Sequence, residues 1–232
     1  MAIFYEKGIS QGIRFLSKEE SRHCSQVLRH SSGDEIMLLD GVGGKHRAIL
    51  SEVSKKTCSF EVVESTIEPS RSFSIHLAIA PTKNTDRMEW MVEKLSEIGV
   101  DELTFLKTQH SERKNIRLDR LEKKAISAMK QSGSPFKLKI NEVVDIKRFV
   151  DSDKADQKFI AHVNPEHSYL SSQLNISKHV SLLIGPEGDF SNEELQSATG
   201  RGFEPVSLGK NTLRTETAGF VACCMVNFIN NF

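Results

Sequence analysis

The segment VSLGKNTLRTETAGFVACCMVNF, residues 206–228, decides how the second half of this chain is organised. An apolar strand is predicted at residues 206–208, followed by Gly209 and a turn rich in hydrogen-bonding side chains. The helix after it has apolar residues at three- and four-residue intervals, which predicts one buried face: Ala218, Val221, Ala222, Met225, Phe228 and Ile229. Ligands of open α/β sheets bind outside the carboxyl ends of strands, so this turn is a candidate binding site.

A second loop repeats this arrangement. Residues 180–184 form an apolar run, Gly185-Pro186-Glu187-Gly188 make a turn, and a helix begins near residue 192. Ser191 and Glu194 have the spacing of a capping box, which marks the start of a helix. Two such loops can face each other across one crevice, although two ordinary β–α turns would show the same spacing.

The first 69 residues predict a small β-rich unit. Its strands are expected at residues 2–5, 35–39, 46–53 and 58–63, and one helix at residues 18–29. Ser17 and Glu20 fit a second capping box at the start of this helix. The glycine-rich turn at residues 40–44 is not a dinucleotide-binding loop, because a strand-like segment follows it where that motif needs a helix.

After a boundary near residue 70, strands alternate with helices. Strands are predicted at residues 74–80, 103–106, 138–140, 158–161, 180–184 and 206–208, and helices at residues 86–98 and 117–132. This alternation predicts an α/β fold with a mostly parallel sheet and helices on both faces. We therefore expect two domains, residues 1–70 and 71–232.

The charges balance overall, with 31 Lys and Arg against 31 Asp and Glu in 232 residues, but they are unevenly placed. Residues 107–139 hold ten basic and three acidic side chains. A local basic segment in a neutral protein points to a polyanionic partner such as RNA, because phosphate contacts dominate non-specific nucleic-acid affinity. A solvated helix face is the alternative interpretation.

Several classes of protein are disfavoured. The sequence has no run of about 18 apolar residues, so we expect no membrane span. It begins MAIFYEKGIS, without the charged and then apolar pattern of a signal peptide. Four cysteines without C-x-x-C spacing predict reduced structural thiols and no metal site: Cys24, Cys58, Cys223 and Cys224. A cytoplasmic location follows.

Two motifs carry a family resemblance. IGPEGDFS at residues 184–191 and LGKNTLRTETA at residues 208–218 together resemble the RsmE-type family, the 16S ribosomal RNA uridine-N3 methyltransferases of the SPOUT class. Both motifs stand at family spacing and in family order. Weaker similarity at residues 23–36, 81–100 and 111–132 extends the resemblance over nearly the whole chain.

The resemblance implies a fold and an activity. The α/β domain would be tied into a C-terminal trefoil knot that binds S-adenosylmethionine, and the first domain would be a PUA-like barrel that binds RNA. Members of the family work as homodimers through the last helix and the knot. They methylate N3 of one uridine near the 3′ end of 16S rRNA in the assembled small ribosomal subunit.

The family's site residues carry over by position. The implied cofactor-binding residues are His162, Pro165, Glu166, Ile184, Gly185, Pro186, Glu187, Gly188, Leu208, Gly209, Asn211, Leu213, Arg214, Thr215, Thr217 and Ala218. The candidate catalytic residues are Arg214, which would stabilise the uridine anion or a nearby phosphate, and Glu187 and Glu216, which would orient Arg214 or the cofactor. The candidate RNA contacts are Arg22, His23, Arg29, Lys83 and Arg87.

The chain departs from the family pattern at three places. Asp189 stands where glycine is usual, Asn211 where arginine is frequent, and residues 130–134 read KQSGS where E-Q-[SC]-x-R is frequent. The LRTETA core is intact. Two other functions remain open at this point, a non-catalytic RNA-binding or ribosome-assembly factor and a nucleotide-using metabolic enzyme. The second is disfavoured by the missing P-loop and G-x-G-x-x-G.

Overall fold

The computed structural model of the chain describes residues 1–111, 116–164, 166–176 and 179–230. The chain divides into two compact units. The first comprises Met1–Ser70 together with Ile126–Lys137, and the second comprises Arg71–Ala125 together with Leu138–Phe232. Residues 126–137 therefore belong to the N-terminal unit. The single boundary predicted near residue 70 does not account for this segment. Part of the basic segment, residues 112–115, lies outside the described residues.

The first unit is built on a four-stranded sheet in the order β1-β2-β3-β4. The strands are β1 (Ala2–Tyr5), β2 (Glu35–Leu39), β3 (Gly44–Val53) and β4 (Cys58–Ile67). The first pair is parallel and the other two pairs are antiparallel. A 3-10 turn (Ile9–Gln11), helix α1 (Lys18–Arg22) and a π-helical turn (His23–Val27) complete the β-rich unit that the sequence predicts.

The predicted capping box at Ser17 is only half correct. The Ser17 hydroxyl accepts the N–H of Glu20 at 3.3 Å, as predicted. The Glu20 carboxylate does not return the bond, because it lies 2.6 Å from the ammonium of Lys130. The N–H of Ser17 donates to the carboxylate of Glu6 instead, at 2.7 Å. A buried carboxylate is stabilised far more by a cation than by a backbone amide, which accounts for the exchange.

The second unit contains a six-stranded sheet in which every neighbouring pair is parallel, in the order β10-β8-β9-β5-β6-β7. Its strands are β5 (Ser74–Ile79), β6 (Glu102–Lys107), β7 (Lys139–Asp145), β8 (Gln157–Ala161), β9 (His179–Ile184) and β10 (Glu204–Val206). Its helices are α2 (Thr85–Glu97), α4 (Ile146–Ser152), α5 (Leu170–Gln173), α6 (Asn192–Thr199) and α7 (Thr215–Ile229). Helix α3 (Leu118–Ser132) is divided between the units, with its residues up to Ala125 in this one. The predicted α/β class and parallel sheet are confirmed.

Both faces of this sheet are buried, as parallel sheets require. On β5, Leu77 and Ile79 face one apolar cluster that includes Met91 and Ala222, whereas Ala78 faces a second cluster that includes Phe149. The alternation follows from the two-residue period of a strand. Helices cover both faces of the sheet, and polar loops follow the carboxyl ends of β8, β9 and β10.

Some predicted helices and strands differ from the observed ones, and the differences have physical reasons. The capping box of Ser191 and Glu194 is confirmed, and so is the helix after Arg214. Strand β10 begins earlier than predicted, at Glu204, and contains Pro205, which an edge strand tolerates. Helices α4 and α5 were not predicted, because each is seven residues or fewer and shows too little periodicity. The trefoil knot stays a prediction from the resemblance.

The pKa of one histidine in this sheet, His76, differs from its ordinary value. Nε2 of His76 lies 2.7 Å from the hydroxyl of Thr104, and its ring meets the edge of Phe149 with centroids 5.0 Å apart. Burial lowers the pKa of His76 from its ordinary 6.5, although Glu102 and Asp153 oppose the effect. The folded protein therefore holds this histidine neutral in a range where the unfolded chain begins to take up a proton.

We expect the second unit to lose stability as the pH falls below 6.5, the ordinary pKa, because the unfolded state then binds more protons at His76. His76→Gln should reduce that loss, by no more than about 1.4 kcal/mol per pH unit. Urea unfolding at several pH values measures the difference. His179→Gln, at an exposed histidine of the same sheet, is the control. An equal pH dependence in all three proteins would contradict the assignment.

Candidate functional site

A cavity of about 550 Å³ lies where strands β8, β9 and β10 end. It is lined by the segments that follow these strands, residues 161–164, 184–189 and 207–214, and by the start of α7. Its volume falls in the range of small-molecule sites, about 300–1,000 Å³. Residues of both sequence motifs line this cavity.

Parallel pairing makes the three strands end side by side, so that the three loops begin at the same edge of the sheet. Ala161, the last residue of β8, pairs with Ile184 of β9 on one side and with Val206 of β10 on the other. The N–H of His162 continues the ladder by donating to the carbonyl of Val206 at 3.1 Å. Because neighbouring parallel strands end together, residues far apart in sequence meet around one cavity.

Most of the predicted cofactor residues line this cavity. They are His162, Ile184, Gly185, Pro186, Glu187, Leu208, Gly209, Asn211, Leu213, Arg214, Thr215 and Ala218. The catalytic candidate Glu216 lines it too. Three predicted residues are not among those that line it: Glu166, Gly188 and Thr217. Pro165 lies outside the described residues.

The structure places Gly188 in a neighbouring surface recess with Gln109, His110 and Ser111. A Cβ on Gly188 would lie 3.3 Å from the Cβ of His110, so this residue is small for a packing reason that does not involve the cavity. Glu187 lines both the cavity and the recess.

Sequence reasoning missed four lining residues, Ala161, Tyr169, Asp189 and Ser207. Val163, Asn164, Lys210 and Thr212 also line the cavity; they belong to loops that the resemblance assigns to the cofactor, although they were not singled out individually. Tyr169 carries no motif signal, and reaches the cavity because it forms a parallel bridge with Ser207 just after β10.

Glycine is required at the loop after β10. Gly209 has φ +146, a backbone conformation that side chains rarely adopt, and a Cβ there would point into open space. The loop can therefore present backbone groups to a ligand without a side chain in the way.

Glu216 is the buried polar group of the site. Its side chain is 7% exposed, and Oε1 lies 3.6 Å from Nε of Arg87, whereas Oε2 has no hydrogen-bond partner. The sequence predicts Arg87 as an RNA contact and Glu216 as a group that orients Arg214 or the cofactor. The structure instead pairs Arg87 with Glu216 at the cavity. A buried carboxylate oxygen without a partner is costly, and a ligand donor would satisfy it.

Charges of both signs surround the cavity. Three carboxylates come from Glu187, Asp189 and Glu216, and three cations from Arg87, Lys210 and Arg214. Arg214 is exposed at the mouth and forms no ion pair with any other described residue. S-adenosylmethionine carries a sulfonium, an ammonium and a carboxylate, so a cavity with both signs of charge and free backbone groups fits it.

Two histidines lie beside the loop after β8. Nδ1 of His162 is 3.1 Å from Nε2 of His167, and Nε2 of His162 is 3.7 Å from the carboxylate of Asp189. Desolvation, followed by the proximity of His162, lowers the pKa of His167. The neutral form of the His167 ring is therefore favoured, and this ring can share one hydrogen bond with His162.

The remaining RNA candidates are distributed over both units. Arg22 and Arg29 are exposed, and Arg29 has a positive φ of 58. His23 is half-buried and meets the edge of Phe4 at 6.2 Å, so part of its ring serves packing. Lys83 is exposed just before α2. Arg22 and His23 join α1 to the π-helical turn, an irregularity frequent at functional sites.

The described residues contain no group of three or more His, Cys, Asp or Glu side chains arranged to hold a metal ion. The same part of the chain has no helix with the length and apolarity to cross a membrane.

Comparison with known proteins assigns both units. Residues 69–227 match the RNA methyltransferase domain family, and residues 16–63 match the RNA methyltransferase PUA domain family. A ribosomal RNA small subunit methyltransferase E from Buchnera aphidicola is 30% identical, with 90% of this chain and 85% of that protein covered.

Two solved structures resemble the whole chain. A probable rRNA-methyltransferase from Porphyromonas gingivalis is 42% identical with a TM-score of 0.92, and the match covers 100% of this chain and 99% of that one. A ribosomal RNA small subunit methyltransferase E from Neisseria gonorrhoeae, bound to S-adenosyl methionine, is 27% identical with a TM-score of 0.85 and coverage of 99% and 98%. This chain belongs to the ribosomal RNA small subunit methyltransferase E family.

Proposed function

We propose that this protein transfers the methyl group of S-adenosylmethionine to N3 of one uridine near the 3′ end of 16S rRNA in the small ribosomal subunit, as a cytoplasmic homodimer. The observation that carries the proposal is the cavity at the ends of β8, β9 and β10. Both sequence motifs line it, and the buried Oε2 of Glu216 lacks a partner within it.

The chain's own residues would hold the cofactor by position and charge. Backbone groups beside Gly185 and Gly209 can approach a ligand closely, and the buried Glu216 can accept a hydrogen bond from it. The bound cofactor supplies a methyl group on a positively charged sulfur. Methyl transfer is an in-line displacement, so fixing the distance and direction of approach should provide much of the acceleration.

The acceptor needs a second function from the site. N3 of uracil carries a proton, which must leave before or during the attack on the methyl group. The exposed Arg214 at the mouth can stabilise the resulting negative charge on the base. Glu187 lines both the cavity and the recess beside it, and we assign to its carboxylate the removal of the proton from a base bound at that boundary.

RNA binding would rest on basic groups outside the cavity. Arg22 and Arg29 are exposed on the first unit, and Lys83 is exposed on the second. Each phosphate contact steepens the dependence of log K on log salt by about one. Arg87 is better assigned to Glu216 than to RNA, since the two side chains already form an ion pair.

The homodimer would form through α7. Phe228 on this helix is 79% exposed, and Phe220 on the same helix packs against the half-exposed Trp90 with ring centroids 5.7 Å apart. Large apolar side chains left on a helix surface mark interaction sites.

The reaction is tested with small-subunit particles from cells that lack this activity. The purified protein and labelled cofactor should add one methyl group to one uridine, and digestion followed by mass mapping gives its position. Methylation at a carbon or a ribose oxygen would contradict the uridine-N3 assignment. Binding of particles without any binding of cofactor would favour a non-catalytic assembly factor.

Arg214→Ala should slow single-turnover methylation about 100-fold, because one preorganised donor to the developing anion is lost. Binding of the particle should change little. Quenched-flow measurements with saturating protein isolate this step. Arg201→Ala removes an exposed arginine that pairs with Asp151 on the same unit and is the matched control. Full turnover in Arg214→Ala would remove this residue from the mechanism.

The ion pair of Arg87 and Glu216 should appear in a double-mutant cycle. Arg87→Ala, Glu216→Gln and the double variant should show a coupling of about 0.5–1 kcal/mol in urea unfolding, a modest value because Arg87 is partly exposed. The matching cycle of Arg214→Ala with Glu216→Gln should be nearly additive. Coupling to Arg214 and none to Arg87 would restore the original prediction that Glu216 orients Arg214.

Phe228→Glu should convert the homodimer to a monomer, because it places a charge in the apolar surface of α7. Ile176→Glu introduces the same charge at a residue that is 77% exposed, close to the 79% of Phe228, and lies outside the helix. It should leave the dimer intact. Sedimentation velocity distinguishes the two states. A wild-type protein that is monomeric and active at working concentration would rule out the dimer.

A further inference from the structure

Asp189 adopts a backbone conformation that is unfavourable for most residues with a side chain. Its φ of +59 lies in the left-handed region, where only Arg29 and Asp189 fall among the described non-glycine residues. Asparagine and aspartate tolerate this region better than other side chains, but glycine adopts it at the lowest cost. An aspartate here therefore suggests that its carboxylate has a role.

The carboxylate joins two loops of the cavity. Oδ2 of Asp189 accepts the N–H of Val163 at 3.0 Å, and so connects the loop after β9 to the loop after β8. Oδ1 accepts the N–H of Phe190 at 2.8 Å, which fixes the carboxylate on its own loop. The main-chain oxygen of Asp189 lies 3.0 Å from Nδ1 of His110, in the segment after β6.

Two contacts of the neighbouring His162 also leave the loop after β8: its N–H donates to the carbonyl of Val206 at 3.1 Å, and its ring lies 3.7 Å from the carboxylate of Asp189. Val163 is 70% exposed, so apolar packing does not hold it. Two side-chain bonds near it involve the rings of His162 and His167 and the amide oxygen of Asn164, which accepts the N–H of Glu166 at 3.0 Å. Both bonds remain within the loop after β8. The bond from Val163 to Asp189 reaches across to the loop after β9.

We infer that Asp189 is a positioning residue, whose carboxylate fastens the loop after β8 to the loop after β9 and orders one wall of the cavity before the methyl donor binds. The inference rests on the proposed function, since it assigns the cavity to S-adenosylmethionine. A loop fixed in advance loses less conformational freedom on binding, which increases affinity without any new contact to the ligand.

A purely structural role makes different predictions. If Asp189 only stabilised the fold, its removal would lower the melting temperature and the affinity together. If it orders the wall, Asp189→Gly should keep the melting temperature, because glycine relieves the left-handed strain while the carboxylate is lost. The affinity for cofactor should fall on its own.

The first measurement needs no ligand. Amide exchange of Val163, followed by NMR in the protein without cofactor, should accelerate at least fivefold in Asp189→Gly, because the N–H loses its acceptor. Asp189→Asn tolerates the same backbone and keeps one acceptor oxygen, so the exchange rate should lie between wild type and glycine. Glu193→Gln, at an exposed carboxylate on α6, should match wild type.

The second measurement is calorimetric titration with S-adenosylmethionine. Asp189→Gly should bind about tenfold more weakly, Asp189→Asn within about threefold of wild type, and Glu193→Gln equally. Unchanged exchange of Val163, unchanged affinity, or a melting temperature that falls in step with the affinity would each overturn the role of Asp189. A wild-type protein that binds no cofactor would instead refute the proposed function, while the exchange result would still report on the loop.

Discussion

The parallel pairing of β8 with β9 and β10 is the constraint on which the site depends. Each backbone hydrogen bond in this part of the sheet fixes where the following loop begins, and Ala161 pairs with both Ile184 and Val206. Three loops that are separated by tens of residues in sequence consequently start at one level. A shift of one residue in either pairing would turn side chains to the opposite face and break up the lining of the cavity.

Burial of the sheet explains why the polar chemistry collects at its carboxyl edge. Leu77 and Ile79 are covered on one face and Ala78 on the other, so the middle of the sheet offers no place for charged groups. At the edge, α7 begins with Thr215 and Glu216 buried beside the cavity. The carboxylate of Glu216 is held by packing and by Arg87, with one oxygen unpartnered. Such a group gains stability when a ligand donor arrives, and this couples binding to the local structure.

The sequence predicts features that depend on residues close together in the chain, and it does not predict contacts between residues that are far apart in it. Helix α7 was predictable because its apolar residues recur at three- and four-residue intervals, and strands β5 and β9 because each is a short apolar run. The two motif loops were predictable from the resemblance. The partner of Glu216 was not, because Arg87 lies 129 residues earlier and meets it only in the folded chain. Glu20 similarly forms its bond to Lys130 rather than to its predicted cap. The bond between Asp189 and Val163 also depends on sheet order, which periodicity does not specify.

The central claim, that this cavity receives the methyl donor, is tested most directly by hydrogen exchange with mass spectrometry, with and without S-adenosylmethionine. The account predicts slower exchange in peptides covering residues 161–164, 184–189 and 207–218, the segments that follow β8, β9 and β10 and line the cavity. Peptides of β1 to β4 should exchange at the same rate in both samples. Protection confined to the first unit, or no protection at saturating cofactor, would contradict the account.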